Sequence, residues 1–431
     1  MVDSIILKGD ICWSWDKDKI ESRAGAYVVC ENGICRGVFE NIPQAYKNIP
    51  VADYKNALII PGMVDLHTHA PQYAFRGLGM DLELLDWLKK YTFPEEAKYK
   101  DLEYAEKAYS VFVEETRKSA TTRAVIFATV HREATILLMD MLEEAKINCY
   151  VGKVNMDRDA PDDLREAGFL ESAYDTFGWI NAVKDKYRSV KPILTPRFLP
   201  SCSDALLQEL SEIQRAYAIP VQSHLSENPS EVELVHKLFP KAAFYGDGYD
   251  QYNLFGNSAK TVMAHCIYST EAEIERMKKN GVFVAHCPAS NMNLCSGIAP
   301  IRRYINENMH VGLGSDVAGG ESESIFRAIK DAIQVSKLYS RLLGPAVNAD
   351  EEAQPLSFEE AFYLATMGGG EFFGNVGTFK DGYEFDAVVL DDSPLYTAGE
   401  LSLLQRLQRD VYLEADGKYI IGKYSGGCRV I

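Results

Sequence analysis

Residues 61–77 read PGMVDLHTHAPQYAFRG, a short apolar run that ends in two histidines two positions apart. Alternate residues of a strand point to one face, so the imidazoles of His67 and His69 lie on the same side of the chain. A Pro-Gly step precedes the run, which marks a strand candidate at 62–67.

From there to about Gly370, apolar runs of four to eight residues alternate with longer segments of helical periodicity. That alternation is the pattern of repeated β-α units and a parallel sheet. Further strand candidates fall at 122–130, 148–156, 192–198, 220–225, 260–266, 281–287 and 310–316. Eight such strands predict a (β/α)8 TIM barrel. Leu102, Ala105, Tyr109, Phe112, Val113 and Thr116 recur at helical spacing and predict one barrel-covering face. Ser230 with Glu233 and Ser357 with Glu360 match capping boxes, and Gly368, Gly369 and Gly370 predict the stop of the last barrel helix.

Both chain ends have a different texture, with short β-like runs broken by turns. Residues 1–60 and 374–431 are expected to form one small β-sandwich domain flanking a barrel of residues 61–373.

Composition narrows the function. The 431 residues are 47% hydrophobic and 25% charged, the usual range of a folded protein. Against 45 Lys and Arg stand 62 Asp and Glu, a net charge of −17, which argues against nucleic acid or an anionic bilayer as partner. No run reaches the roughly 18 apolar residues of a membrane helix, and MVDSIILKGD lacks the basic start of a signal peptide, so a cytoplasmic protein is expected. Nine scattered cysteines with no C-x-x-C pair predict reduced, mostly buried thiols.

Barrel enzymes carry their chemistry at the C-terminal ends of the strands. Those ends hold His67, His69, His224, His265, His286 and Asp316, which include five of the eight histidines. His236, on a charged helix, and His310, at the opposite end of its strand, read as ordinary residues. Burying five imidazoles is unfavourable unless a metal or a hydrogen-bond network takes up their lone pairs. Neutral imidazoles with a carboxylate suit zinc, and Fe(II) takes the same donors. Two arrangements compete: one metal on His67, His69, His224 and Asp316, which is favoured, or two bridged by a carbamylated Lys153.

The opening stretch resembles the first metal motif of the amidohydrolase superfamily and is close to that of its guanine-deaminating members. TPRFLPSC at 195–202, SHLSE at 223–227, HC at 265–266, HCPASN at 286–291 and GLGSDVAGG at 312–320 resemble later motifs of that family, in the same order. The resemblance implies one Zn2+ per chain on His67, His69, His224 and Asp316, with His265 orienting the attacking water and Glu227 as proton shuttle. Hydrolytic deamination requires just such groups: a poised water, a base and an acid. Asp316 is the expected base, and Glu227 the expected acid, its pKa raised by confinement. Gln72, Arg197 and Phe198 match positions that contact guanine in the family, beside His224 and Glu227. Arg197 can donate to O6 through its planar fork, and Gln72 can both donate and accept along a heterocycle edge. His286 and Asn291 are expected to be pocket supports.

The aromatic segment at 75–96 suits either a lid over the site or a dimer contact, and the resemblance implies a homodimer. His131 and Glu133 spell half of another zinc-deaminase motif, but no downstream P-C-x-x-C completes it. The expected activity is conversion of guanine to xanthine and ammonia. The alternatives are deamination of another aminated purine, pyrimidine or triazine, and a catalytically silent scaffold.

Overall fold

Proline and hydrogen-bond pairing shape the barrel more than the apolar runs alone suggest. The computed structural model describes residues 4–342, 354–395 and 399–431. Parallel strands Met63–His69, Thr121–Phe127, Asn148–Gly152 and Val190–Pro192 form one half, and Val221–Leu225, Thr261–His265, Phe283–His286 and His310–Leu313 the other. A bridge between Leu194 and Val221 joins the halves on one side. On the other, the Asp316 N–H donates to the His67 carbonyl at 2.8 Å and the His69 N–H to the Val317 carbonyl at 3.1 Å. The ring is a (β/α)8 barrel.

The third and fourth strands are each interrupted, contrary to the continuous runs expected at 148–156 and 192–198. Pairing resumes as Val154–Asn155 against Thr195–Pro196. Pro192 and Pro196 lack the N–H that a continuous ladder needs. Lys153 sits at the break, fully buried, and bonds Glu166 at 2.5 Å and the Val154 carbonyl.

Helix Leu102–Lys118 starts on Asp101, whose carboxylate accepts the N–H groups of Glu103 and Tyr104. Ala105, Tyr109, Phe112, Val113 and Thr116 are buried as the periodicity predicts. Leu102 is 47% exposed, so the covering stripe begins one turn later. The box at Ser357 and Glu360 is present. The one expected at Ser230 and Glu233 is shifted: Asn228 caps helix Pro229–Leu238 with Glu231, because Pro229 fits the first helical position and sets the start. Gly368, Gly369 and Gly370 end their helix as expected, Gly370 being its last residue. Gly369 also permits close packing, since a Cβ on Gly312 would come within 2.7 Å of the Gly369 Cα.

Strands from both chain ends share one hydrogen-bonded sheet of seven, in the order Cys428–Arg429, Ile420–Ser425, Ala387–Leu390, Val51–Pro61, Ile5–Asp16, Lys19–Glu31 and Ile34–Phe39. Leu7, Ile11, Trp13, Val28, Phe385 and Val389 are among its core residues. Two buried cations tie it to the barrel. Arg123 Nε donates to Asp386 at 2.6 Å, and Lys423 Nζ bonds the carbonyls of Thr116, Arg117 and Ser119 at the end of helix Leu102–Lys118. None of the nine cysteines is in a disulfide, and seven are buried. Among the described residues, no helix is long and apolar enough to cross a membrane.

Candidate active site and metal centre

At the C-terminal rim, side chains far apart in sequence converge. His67 Nε2 lies 3.2 Å from His69 Nε2, which lies 3.3 Å from His224 Nε2. Asp316 Oδ1 is 3.1 Å from His67 Nε2 and 3.4 Å from His69 Nε2. His265 Nε2 stands 3.7 Å from Asp316 Oδ2 and 3.4 Å from Glu227 Oε2. Among the described residues, candidate metal donors gather in two overlapping triads, His67 with His69 and His224, and His67 with His265 and Asp316, each within 4.8 Å.

The surroundings fix which way these rings present their lone pairs. His224 Nδ1 lies 2.6 Å from the Arg197 carbonyl, which can only accept, so the proton is on Nδ1 and Nε2 faces the cluster bare. His265 Nδ1 lies 2.8 Å from Asn291 Oδ1 and is oriented in the same way. Burial lowers the His69 pKa to about 4 and, with His67 and His69 alongside, holds His224 well below the ordinary imidazole range. Burial pushes Asp316 up, but the neighbouring His67 and His69 side chains outweigh it and hold the carboxyl well below its usual range. Bare imidazole nitrogens packed around an ionised carboxylate make a donor set that fits a divalent cation.

Backbone strain concentrates here. His265 has φ +73 and Asp316 φ +47, and the adjoining Cys266 and Ser226 have φ +50 and +47. Non-glycine residues in this region are held by their surroundings, and such positions cluster at functional sites. One holding group was not evident from the sequence. Asp65, buried, accepts the N–H of His67 at 3.1 Å, the N–H of Ser315 at 3.0 Å and the Ser315 hydroxyl at 2.5 Å, so one carboxylate joins the first strand to the turn carrying Asp316. Burial raises it to about 6, opposed by those hydrogen bonds.

Beside the cluster is a narrow cavity lined by Gln72, Leu84, Trp87, Leu88, Arg197, Phe198, Glu227 and Leu294, with His69, His224, His265 and Asp316 at its metal end. All the anticipated contact residues are therefore on one wall or another. The segment 75–96 is part of that wall through Leu84, Trp87 and Leu88. Arg197 is also in the ion pair that a strand-end arginine would be expected to make: Glu96 receives Nη1 at 2.5 Å and Nη2 at 3.1 Å. Glu96 was not anticipated, because nothing in FPEE at 93–96 distinguishes it from an ordinary helical acid.

Glu227 is buried, with the Ser296 hydroxyl 3.3 Å from Oε1. Burial, then Glu231 and Asp316, hold its carboxyl well above the usual range. Glu231, which caps with Asn228, is fully buried and accepts the Tyr245 hydroxyl at 2.7 Å, while Glu233 is exposed and pairs with Lys237.

Other candidates stay outside. His286 is buried, its Nδ1 has no hydrogen-bond partner among the described residues, and it does not line the cavity, whereas Asn291 bonds His265. Lys153, spent on Glu166, offers no bridge for a second metal. His236 is exposed, His310 pairs with Glu371 at 2.9 Å, and Glu133 is exposed.

A barrel with this rim of histidines and a carboxylate defines a metal-dependent hydrolase, and the chain belongs to the amidohydrolase family, whose model matches residues 58–419. Within that family its likeness is to guanine deaminases. It is 35% identical to guanine deaminase of Dictyostelium discoideum over 95% of each chain, and 39% identical to that of Homo sapiens over 86% of this chain and 82% of the other. The crystal structure of guanine deaminase from C. acetobutylicum, with guanine bound in its active site, superposes with a TM-score of 0.95 at 45% identity over 100% of both chains.

Proposed function

We propose that this chain is a zinc-dependent guanine deaminase that adds water at C2 of guanine and releases xanthine and ammonia. The observation that carries the reading is the cavity itself, with the donors of Arg197 and Gln72 on one wall and the histidine-aspartate cluster with Glu227 on another. A purine presenting a 6-oxo acceptor and a 2-amino group suits that polarity.

His67, His69, His224 and Asp316 would hold the cation, and zinc is the choice for nitrogen and oxygen donors, with ferrous ion taking the same set. When bound, the cation supplies positive charge that brings the pKa of water toward neutrality. The proton steps belong to the protein. Asp316, ionised, accepts a proton from the attacking water, with His265 beside it to orient the water. Glu227, protonated, donates to the ring nitrogen next to C2. As the tetrahedral carbon collapses, the proton on Asp316 goes to the departing amine and Glu227 takes back the hydroxyl proton, so both carboxyls return to their starting forms and ammonia leaves neutral. Phe198, with Leu84, Trp87 and Leu88, walls the purine from solvent.

The homodimer and the cytoplasmic setting belong to the same proposal and rest on the resemblance and the composition. Sedimentation of the purified protein tests the first. The function is tested by ammonia release and the change in ultraviolet absorbance on adding guanine, alongside a panel of other aminated purines, pyrimidines and triazines. Guanine turnover far above the panel is expected, and preference for another member would replace the substrate. A metal-free native protein inert toward the whole panel would favour a scaffold.

A further inference from the structure

Glu96 is 1% exposed and does not line the cavity, yet it holds both polar side chains expected to read the substrate. Its Oε2 accepts from Arg197 Nη1 at 2.5 Å, and its Oε1 accepts from Arg197 Nη2 at 3.1 Å and from Gln72 Nε2 at 2.9 Å. Gln72 Oε1 in turn accepts the Ala318 N–H at 3.1 Å, which settles the direction of its amide. Phe93, three residues before Glu96, places its ring 5.3 Å from the guanidinium. The fork uses one hydrogen of each Arg197 terminal nitrogen and one of Gln72, leaving further donors on both side chains for the cavity they line.

The pairing also has an electrostatic consequence. Among the described residues, Glu96 is the carboxylate within ion-pair reach of Arg197, so the recognition end presents hydrogen-bond donors without net charge. Guanine is neutral near pH 7, whereas xanthine, with a second oxo group in place of the amine, is the stronger acid and ionises more readily. An uncompensated buried guanidinium would retain that anion.

We propose that Glu96 is a positioning residue that aligns Arg197 and Gln72 on the 6-oxo edge and, by balancing Arg197, favours the neutral substrate over the anionic product. The inference rests on the guanine deaminase reading above. Zinc-loaded wild-type, Glu96→Gln and Glu96→Asp proteins are compared for guanine kinetics, for inhibition by 2-aminopurine, which lacks the 6-oxo group, and for inhibition by xanthine below and above its ionisation.

Glu96→Gln is expected to lower kcat/KM on guanine by roughly 10- to 100-fold, mainly through KM, with much smaller change in 2-aminopurine inhibition. Its inhibition by xanthine gains more on xanthine ionisation than that of wild type. Glu96→Asp keeps the charge on a shorter arm, so it should raise the guanine KM, weaken xanthine inhibition through the shared 6-oxo edge, and leave the change of xanthine inhibition on ionisation as in wild type. Wild-type guanine kinetics in folded Glu96→Gln overturn the assignment, and if that variant does not fold, a wild-type guanine KM in Glu96→Asp does so. A guanine defect in Glu96→Gln with no greater gain in xanthine inhibition on ionisation than in wild type overturns the charge-balancing part. Wild-type protein that releases no ammonia from guanine removes the functional reading itself, a result distinct from either.

Discussion

His224 donates its Nδ1 hydrogen to the backbone carbonyl of Arg197 at 2.6 Å, so a candidate metal ligand on strand Val221–Leu225 and a candidate substrate contact just after strand Thr195–Pro196 are held in one register. Ser223 reinforces the junction, with its hydroxyl 2.6 Å from the Pro196 carbonyl and 2.7 Å from the Tyr249 hydroxyl. The metal end and the recognition end of the cavity are thus built on one stretch of barrel rim.

Glu227→Gln is expected to keep its metal content and lose roughly 10²- to 10⁴-fold in kcat, the range typical for removing a general acid. Because burial and the neighbouring carboxylates raise its pKa, Glu227 stays protonated to higher pH than an ordinary glutamate. The wild-type rate should therefore fall on the alkaline side as Glu227 ionises, and the variant should lack that limb. Metal analysis with a pH-rate profile checks both, and a fully active variant removes Glu227 from its role.

Asn291→Leu leaves the His265 Nδ1 hydrogen without its acceptor and frees the ring to turn. Loss of a partner that orients an active-site histidine usually lowers activity about 10- to 100-fold. The loss should appear in kcat with guanine KM little changed, which steady-state kinetics would reveal.

Asp316→Asn, or prolonged chelation of the wild type, is expected to abolish both bound metal and activity. Removing a ligand that binds only the folded state also lowers the melting temperature. Calorimetry with and without added zinc should show a metal-dependent rise in wild type and none in Asp316→Asn. A wild type whose melting and activity ignore chelation would refute the metal centre.

Asp410 gives a pH prediction for stability. It is fully buried, and among the described residues neither carboxylate oxygen has a hydrogen-bond partner, with Arg409 Nε 3.6 Å away. Burial, then Asp392, raises its pKa from 3.8 to about 7. The folded state then holds this proton more tightly than the unfolded chain, so the contribution to stability is full below the unfolded pKa and is lost as pH rises toward 7. Asp410→Asn should remove that loss and stabilise the protein by on the order of 2 kcal/mol at pH 8, with little effect at pH 4. Denaturant unfolding at the two pH values measures it.

The strand-end histidines and Asp316 were legible because they follow from local rules. A period of two places His67 and His69 on one face, and the repeat of β-α units puts every strand's C-terminal end at one rim. Glu227 and Asn291 needed the family motifs, since SENPSEVE alone reads as an acidic helix start. Asp65, Glu96 and the burial of Glu231 were not legible at all. Each is an ordinary acid in its local string and becomes significant only through partners such as Ser315, Arg197 and Tyr245. The misread cap at Ser230 has the same origin, since Pro229 sets the helix start one step earlier.

By itself, the order of residues settled which side chains stand at the strand ends and that the barrel closes from eight repeats, because backbone periodicity and turn chemistry act over a few positions. The three-dimensional packing alone decided which buried charge meets which, as when Glu96 finds Arg197 and Gln72. Such pairings join distant parts of the chain, and their energy depends on distance and exclusion of water, neither of which is written in a local string.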